Sequence, residues 1–201
     1  MPTTPVLSPT RLAAAYTYPA YRQLIERLLA ENKTTGPVQS EELVHYTRLN
    51  EQRMRRLDKT VHVLPELAAA VRQLPPYVWL IITEGWCGDA AQLVPVLEAV
   101  AQASAGQLTT RYLLRDDNPD LIDQYLTGGS RAIPKLVVLH PDTLAEVAQW
   151  GPRPAPAQAL LLKLKAEGLS HDEYATQLHT WYAHDKTQTT QQELLSLVQG
   201  L

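Results

Sequence analysis

One cysteine, Cys87, is present among 201 residues. A disulfide within the chain and a zinc site built from several cysteines are therefore excluded. Positive charge is not in excess either, because 18 lysines and arginines against 21 acidic residues leave a net charge of −3. That balance provides no basic surface for nucleic acid or for an anionic membrane, and we expect neither as a partner.

Long apolar runs and clustered metal ligands are missing as well. No run approaches the ~20 apolar residues that cross a bilayer as a helix, and residues 1–10 have neither the basic nor the apolar region of a secretory signal. His179 and His184 lie on different faces of a predicted helix, which argues against a metal pair. We therefore expect a cytoplasmic protein without a metal or a bound cofactor.

Residues 1–75 predict a helical N-terminal extension that packs on the core. Ser8 followed by Pro9 is typical of a helix start, because the serine oxygen caps the first turn and proline needs no N–H donor there. Another helix is predicted over "EELVHYTRLNEQRMRRLDK", whose basic stretch Arg53–Lys59 is interpreted as a solvated face. Apolar spacing marks its inward-facing positions: Leu43, Tyr46, Leu49 and Met54. A shorter helix, "LPELAAAVRQL", follows.

Residues 76–166 predict an α/β domain. "YVWLIIT" is a continuous apolar run of strand length, which suits a strand buried on both faces. The helix that follows it begins near Cys87. Further strands are predicted at "LTTRYLLR", "KLVVLHP" and "AEVAQWG", and further helices at "NPDLIDQYL" and "PAPAQALLLKLKAEG". This order predicts a mixed sheet with helices packed on it.

Residues 167–201 predict a C-terminal helical extension. Ser170 and Glu173 have the spacing of a capping box at a helix start. Tyr174, Leu178 and Trp181 lie on one face of that helix, which we expect to pack on the core, although the same face can bind a partner. "HDKTQTT" is polar and is expected to break the helix, and a short final helix follows.

Cys87 lies where a predicted buried strand ends and a helix begins. Unpaired backbone N–H groups and the helix dipole supply partial positive charge at that position, which stabilises a thiolate, the reactive form of cysteine. Gly88 permits a tight turn and Trp86 can shield one side of the sulfur. The negative charge of Asp89 opposes the thiolate. On balance we expect a modestly lowered pKa for Cys87.

The segment "VWLIITEGWCGDAAQLVPVLEAVA" resembles the active-site segment of the thioredoxin family, in which Trp-Cys-Gly-Pro-Cys follows a core strand. Trp86, Cys87 and Gly88 match that motif, and Pro95 lies where thioredoxins have a helix proline. Downstream, "RYLLRDDNPDLIDQYLTGGSRAIPKLVVL" is similar to the next thioredoxin segment. Its Ile133-Pro134 pair occupies the place of the family's cis-proline, which faces the active cysteine.

The resemblance covers about residues 76–166 and implies a thioredoxin-like α/β fold, with a mixed central sheet flanked by helices and with N- and C-terminal helical extensions. Three positions depart from the thioredoxin pattern: Asp89 replaces a proline, Ala90 the resolving cysteine and Ile81 a buried acid. Glu84 is a candidate substitute for that acid. Without the resolving cysteine, dithiol cycling by this chain alone is excluded.

The resemblance implies a monothiol thiol–disulfide oxidoreductase that acts through Cys87 as its catalytic residue. Its thiolate would form a mixed disulfide with a protein disulfide or a small thiol, and an external low-molecular-weight thiol would release it. The backbone of Ile133 can pair with an extended substrate. Five residues are assigned to substrate binding: Trp86, Gly88, Asp89, Ile133 and Pro134.

Other roles of the lone cysteine stay open at this point. Peroxide can oxidise a reactive thiol to a sulfenic acid, which makes a redox sensor. The chain can be a binding or adaptor module that kept the fold and lost the chemistry, or Cys87 can link two copies of the chain. Cys87 can also be an inert buried residue. The sequence does not indicate the oligomeric state.

Overall fold

The structure is a computed structural model that describes residues 7–201. Nine helices and four strands occur within that range. In chain order they are α1 (Pro9–Ala14), α2 (Tyr18–Ala30), α3 (Glu41–Thr60), α4 (Pro65–Arg72), β1 (Tyr77–Thr83), α5 (Gly88–Ala103), β2 (Leu108–Leu114), α6 (Pro119–Ile122), β3 (Lys135–Leu139), β4 (Glu146–Trp150), α7 (Ala155–Ala166), α8 (His171–Asp185) and α9 (Gln188–Gln199). The predicted absence of a secretory signal concerns residues 1–10, of which 1–6 lie outside the described range.

The four strands form one mixed sheet in the order β2-β1-β3-β4. β1 pairs in parallel with β2 and antiparallel with β3, and β3 pairs antiparallel with β4. From Trp79 to Thr83, β1 is buried throughout, as its uninterrupted apolar sequence predicts for a central strand. The predicted α/β fold with a mixed, helix-flanked sheet is confirmed.

The segment from Tyr16 through helix α2 packs against the β2 edge of this sheet. Ser8 caps α1 by accepting a hydrogen bond from the backbone N–H of Arg11 at 3.1 Å, so the predicted helix start is confirmed. Tyr16 forms an antiparallel bridge with Tyr112 of β2. In α2, the ring of Tyr21 stacks on that of Tyr112 with 5.5 Å between the ring centroids. The edge strand is therefore covered by this part of the chain.

Helix α3 forms where predicted but presents a different face to the core. Of the four predicted inward positions only Met54 is buried, whereas Leu43, Tyr46 and Leu49 are partly exposed. The core-facing positions are instead taken by Val44, Leu57 and several polar residues. Thr47 and Asn50 are buried because their side chains are hydrogen-bonded, Thr47 to Thr34 and Asn50 to the backbone oxygen of Gly85. An apolar stripe cannot reveal such positions.

The two C-terminal helices pack on the rest of the protein. Leu178 and Tyr182 of α8 are buried in a cluster with Leu93 of α5 and with two residues of α7, Ala157 and Leu161. Tyr174 and Trp181 pack at the edge of this cluster. The predicted helix break is present, because Lys186 and Thr187 adopt left-handed backbone conformations between α8 and α9. Leu194 and Val198 of α9 then enter the main core. Within residues 7–201, no helix has both the length and the apolar character needed to cross a membrane.

Candidate functional site

Cys87 is the N-cap residue of α5, directly after the turn that follows β1. Its sulfur accepts a hydrogen bond from the backbone N–H of Ala90 at 3.4 Å and donates one to the carbonyl oxygen of Ile133, also at 3.4 Å. The peptide bond between Ile133 and Pro134 is cis. The structure thus brings together Cys87 and the Ile133-Pro134 pair, which are 46 positions apart in sequence.

The Cys87 thiol is held in its protonated form. Only 8% of the residue is exposed. Burial raises the pKa of the thiol to about 12, and the negative charge of Asp89 adds to the increase, whereas the Ala90 N–H and Arg153 oppose it. The expected modest lowering of this pKa is wrong, because the helix dipole is outweighed by desolvation and by the neighbouring carboxylate.

Asp89 connects three parts of the fold. Its carboxylate is paired with the guanidinium of Arg153, in the loop between β4 and α7, and accepts a hydrogen bond of 2.7 Å from the Tyr182 hydroxyl of α8. The Asp89 side chain is only 12% exposed, so its charge needs these partners. Arg153 and Tyr182 were not singled out by sequence reasoning, since nothing local relates them to Cys87.

Gly151 allows the loop that carries Arg153 to approach the backbone of Pro134 closely. Its φ of +104° lies in the region that favours glycine. A Cβ atom at this position would lie 2.6 Å from the backbone oxygen of Pro134, closer than real contacts allow. The absence of a side chain at Gly151 therefore permits close contact between this loop and the segment that faces Cys87.

Trp86 and Gly88 flank the cysteine and are both partly exposed. The guanidinium of Arg115 lies over the Trp86 ring, 4.6 Å from its centroid. A Cβ atom at Gly88 would lie 2.9 Å from Nε2 of His179. His179 of α8 therefore packs directly on Gly88, and a side chain at position 88 would displace it.

His179 is neutral at physiological pH. Burial and the nearby positive charge of Arg53 lower its pKa to about 4. Its Nδ1 lies 3.1 Å from the side-chain amide nitrogen of Gln92, which donates to it. The imidazole is thereby fixed above the first turns of α5. Among residues 7–201, no group of three or more His, Cys, Asp and Glu side chains is arranged to hold a metal ion.

Glu84, the candidate substitute for the buried acid, is fully buried. It accepts hydrogen bonds from the hydroxyl of Thr35 and, at 2.9 Å, from the backbone N–H of Asp116. Burial raises the pKa of Glu84 to about 7 despite these donors. The carboxyl group therefore ties the loop before α3 to the end of β2.

A cavity of about 900 Å³ lies next to the cysteine. One wall is the partly exposed face of α3, including Leu43 and Leu49, and another is α8, including His179. The turn from Trp86 to Asp89 contributes the remaining side, so that Cys87 borders the cavity. The Tyr46 hydroxyl donates a 2.6 Å hydrogen bond to Asp172 and bridges the two helical walls. Three of the four α3 residues predicted to enter the core, Leu43, Tyr46 and Leu49, thus line this cavity instead.

Two solved structures share the fold over nearly the whole chain. A crystal structure of an HIV epitope scaffold matches with a TM-score of 0.60 and 16% sequence identity, covering 97% of this chain and 99% of that one. A Pseudomonas aeruginosa protein of unknown function, PA1234, matches with a TM-score of 0.54 and 15% identity, covering 92% and 98%. At these identities the likeness concerns the fold alone.

A curated relative adds sequence similarity over a shorter stretch. A protein named thioredoxin from Alicyclobacillus acidocaldarius subsp. acidocaldarius is 38% identical over 53 residues, which is 26% of this chain. The match spans 48% of that relative, about half of its length. A family model described as thioredoxin matches residues 36–193. That range includes α3 and α8 as well as the sheet, and the chain belongs to the thioredoxin family.

Proposed function

We propose that this protein carries out thiol–disulfide exchange through Cys87 alone. One observation carries the proposal. Cys87, whose sulfur is hydrogen-bonded to the Ile133 carbonyl oxygen, borders a cavity large enough for a small ligand. Membership of the thioredoxin family supports a redox role. The proposed substrates are protein disulfides or the disulfides of small thiols, and Trp86, Gly88 and Ile133 are the proposed contacts for them.

In the exchange an electron pair of the Cys87 sulfur forms the new S–S bond, so that this sulfur is oxidised and the leaving sulfur of the substrate disulfide is reduced to a thiolate. The Cys87 sulfur attacks one sulfur of R–S–S–R, the S–S bond breaks, and a mixed disulfide between Cys87 and R forms. The leaving RS⁻ takes up a proton, which balances the proton lost from Cys87. An external thiol then attacks the mixed disulfide, leaves with R as a new disulfide, and returns Cys87 as a thiol. A cytoplasmic location fits this cycle, because small thiols are abundant there.

The raised pKa makes Cys87 a slow nucleophile. A thiol of pKa about 12 has far less thiolate at pH 7 than a free cysteine of pKa ~8.5. The greater intrinsic nucleophilicity of a more basic thiolate recovers only part of this difference. In this conformation the sulfur therefore reacts more slowly than that of a free cysteine. Productive exchange needs substrate binding to bring the disulfide to the sulfur and to reduce this deficit.

Intact-mass measurement tests the proposal. Wild-type protein and Cys87→Ser are incubated with small disulfides at pH 8, and the mass increase is followed with time. We expect one adduct per wild-type chain, none on Cys87→Ser, and release of the adduct by an added thiol. Urea-unfolded wild type, in which the cysteine is exposed, is the control for probe reactivity. If only the unfolded chain reacts, the exchange proposal is wrong.

The second candidate function is a binding module that uses the fold without its chemistry. The specific observation in its favour is the buried, protonated thiol. Under this alternative, Cys87→Ser binds its partners with the same affinity as wild type, and no adduct forms on the folded protein. A peroxide sensor needs the same access of a small molecule to the sulfur as disulfide exchange does. A Cys87-linked dimer needs more, because the buried sulfur must reach the sulfur of a second chain.

A further inference from the structure

Arg53 of α3 is a positive charge in the wall of the cavity beside Cys87. Its guanidinium is half-buried and donates a 2.8 Å hydrogen bond to the side-chain oxygen of Asn50. Within residues 7–201 no carboxylate forms an ion pair with it, and burial lowers the pKa of Arg53. The sequence interpretation of this basic stretch as a solvated face therefore does not hold for Arg53.

Two other arginines near Arg53 are compensated by carboxylates. Arg55, on the outer side of the same helix, pairs with Glu51 at 2.8 Å. Arg153, which also lines the cavity, is neutralised by Asp89. Three carboxylates also line the cavity, and each already has a partner. Asp89 pairs with Arg153, whereas Asp172 and Glu42 both interact with the Tyr46 hydroxyl. Arg53 is left as the uncompensated cation of the wall.

A second, smaller cavity of about 330 Å³ lies along α3 next to the first. It shares Leu49 and Arg53 with the larger cavity and is lined in addition by Gln52 and Arg56. The positive charge of Arg56 acts on Arg53 as a like charge and adds to the lowering of its pKa. Two arginines that repel each other in a concave surface are stabilised by an anion placed between or beside them.

We propose that the cavity binds a low-molecular-weight disulfide that carries a carboxylate, with the carboxylate on Arg53 and the disulfide at Cys87. The guanidinium fork matches a carboxylate in two parallel hydrogen bonds. Leu43 and Leu49 supply an apolar wall for the methylene groups between the two ends. The inference rests on the proposed exchange function and specifies its substrate class.

Disulfides of different charge test whether a carboxylate on the substrate accelerates its reaction with Cys87. The probes are 3,3′-dithiodipropionate, bis(2-hydroxyethyl) disulfide and cystamine, which are similar in size and are anionic, neutral and cationic. Adduct formation on Cys87 is followed by intact mass in wild type, Arg53→Gln and Arg53→Lys. Lys59→Gln, which removes one exposed positive charge from the same helix, is the matched control. We expect the anionic probe to react about tenfold faster than the neutral one in wild type. This preference should be lost in Arg53→Gln and kept in Arg53→Lys and Lys59→Gln.

A binding experiment without chemistry separates the two proposals. Suberate, which has the length of dithiodipropionate but no sulfur, is titrated into Cys87→Ser and into Cys87→Ser combined with Arg53→Gln, with 1,8-octanediol as the neutral control. We expect suberate to bind only where Arg53 is present. Arg53-dependent binding without exchange would support the anion site and overturn the exchange function. Exchange without charge preference and without suberate binding would overturn the anion site and leave the exchange function standing.

Discussion

The hydroxyl group of Tyr182 donates a 2.7 Å hydrogen bond to the carboxylate of Asp89 and joins α8 to the first turn of α5. Asp89 in turn raises the pKa of the Cys87 thiol two residues away. Helix α8 is thereby connected to the cysteine through one carboxylate. Helix α8 thus helps to fix a carboxylate that raises the pKa of the thiol further, beyond the larger effect of burial.

Asp89→Asn should make Cys87 more reactive. The substitution removes the neighbouring negative charge and leaves the positive charge of Arg153 uncompensated, and both changes favour the thiolate. We expect alkylation by iodoacetamide at pH 8 to accelerate roughly tenfold. Asp117→Asn, at an exposed position, makes the same change in net charge and should have no effect. An unchanged rate in folded Asp89→Asn would show that burial alone controls the thiol.

Tyr182→Phe should destabilise the protein without removing an apolar contact. The ring stays in its cluster, but the buried Asp89 carboxylate loses one of its donors. We expect the free energy of unfolding to fall by about 1–3 kcal/mol, as for other hydrogen bonds to charged groups. Urea denaturation measures the change.

Tyr46→Phe is the matched control for that measurement. It also removes a tyrosine hydroxyl that donates to an aspartate, but the accepting Asp172 is exposed to solvent. Water can replace the lost donor there, so a change below about 0.5 kcal/mol is expected. Equal effects of the two substitutions would contradict the importance of burial at Asp89.

His179 should make stability depend on pH in a defined window. Its pKa is about 4 in the folded protein and ~6.5 when unfolded. Between these values the unfolded state binds more protons, so the contribution of this group to stability rises with pH and is lost as pH falls toward 4. The difference in free energy of unfolding between wild type and His179→Gln should grow by up to about 3 kcal/mol from pH 4 to pH 6.5.

Removal of the Arg53 charge provides an independent check of why the pKa of His179 is lowered. Because Arg53 lowers the pKa of His179, Arg53→Gln should move the histidine titration to higher pH, as followed by the NMR signal of the imidazole ring. Stability curves of wild type and His179→Gln that run parallel across the window would contradict the lowered pKa. A histidine titration near 6.5 in the wild-type protein would contradict it directly.

The sequence predicts the parts of the site that are local or that follow a known motif. Cys87 at a helix start and the approach of Ile133-Pro134 both follow from the thioredoxin resemblance. The partners of Asp89 do not, because Arg153 and Tyr182 are 64 and 93 positions away and reach it only through tertiary packing. The same limitation explains why the sequence predicts the wrong direction for the pKa of Cys87. The helix dipole is a local property, whereas desolvation depends on the segments that cover the sulfur.

The cavity shows a second limit of sequence patterns. Leu43 and Leu49 have the spacing of core residues, yet they line open space, since buried polar residues such as Thr47 and Asn50 occupy the core-facing positions of α3. A periodicity analysis assigns apolar residues to the core and polar ones to solvent. Helix α3 departs from this rule on both faces, because its buried face is partly polar and its cavity face is partly apolar.

Gly151→Ala should destabilise the protein more than Gly106→Ala does. Gly151 and Gly106 have similar positive φ values, +104° and +97°, so alanine is strained at both positions. An added Cβ at Gly106 meets nothing within 4 Å, whereas at Gly151 it would lie 2.6 Å from the backbone oxygen of Pro134. We expect Gly106→Ala to cost about 1–2 kcal/mol and Gly151→Ala at least about 1 kcal/mol more.

The excess cost at Gly151 should be accompanied by a change at the thiol. Relief of the clash pushes the Pro134 backbone away, and with it the adjacent Ile133 carbonyl that accepts the hydrogen bond of the Cys87 sulfur. We therefore expect faster alkylation of Cys87 in Gly151→Ala than in Gly106→Ala, measured under conditions in which both variants are folded. Equal stabilities and equal alkylation rates would mean that the backbone at Gly151 can adjust without disturbing the segment that faces Cys87. The loop carrying Arg153 would then not determine the position of that segment.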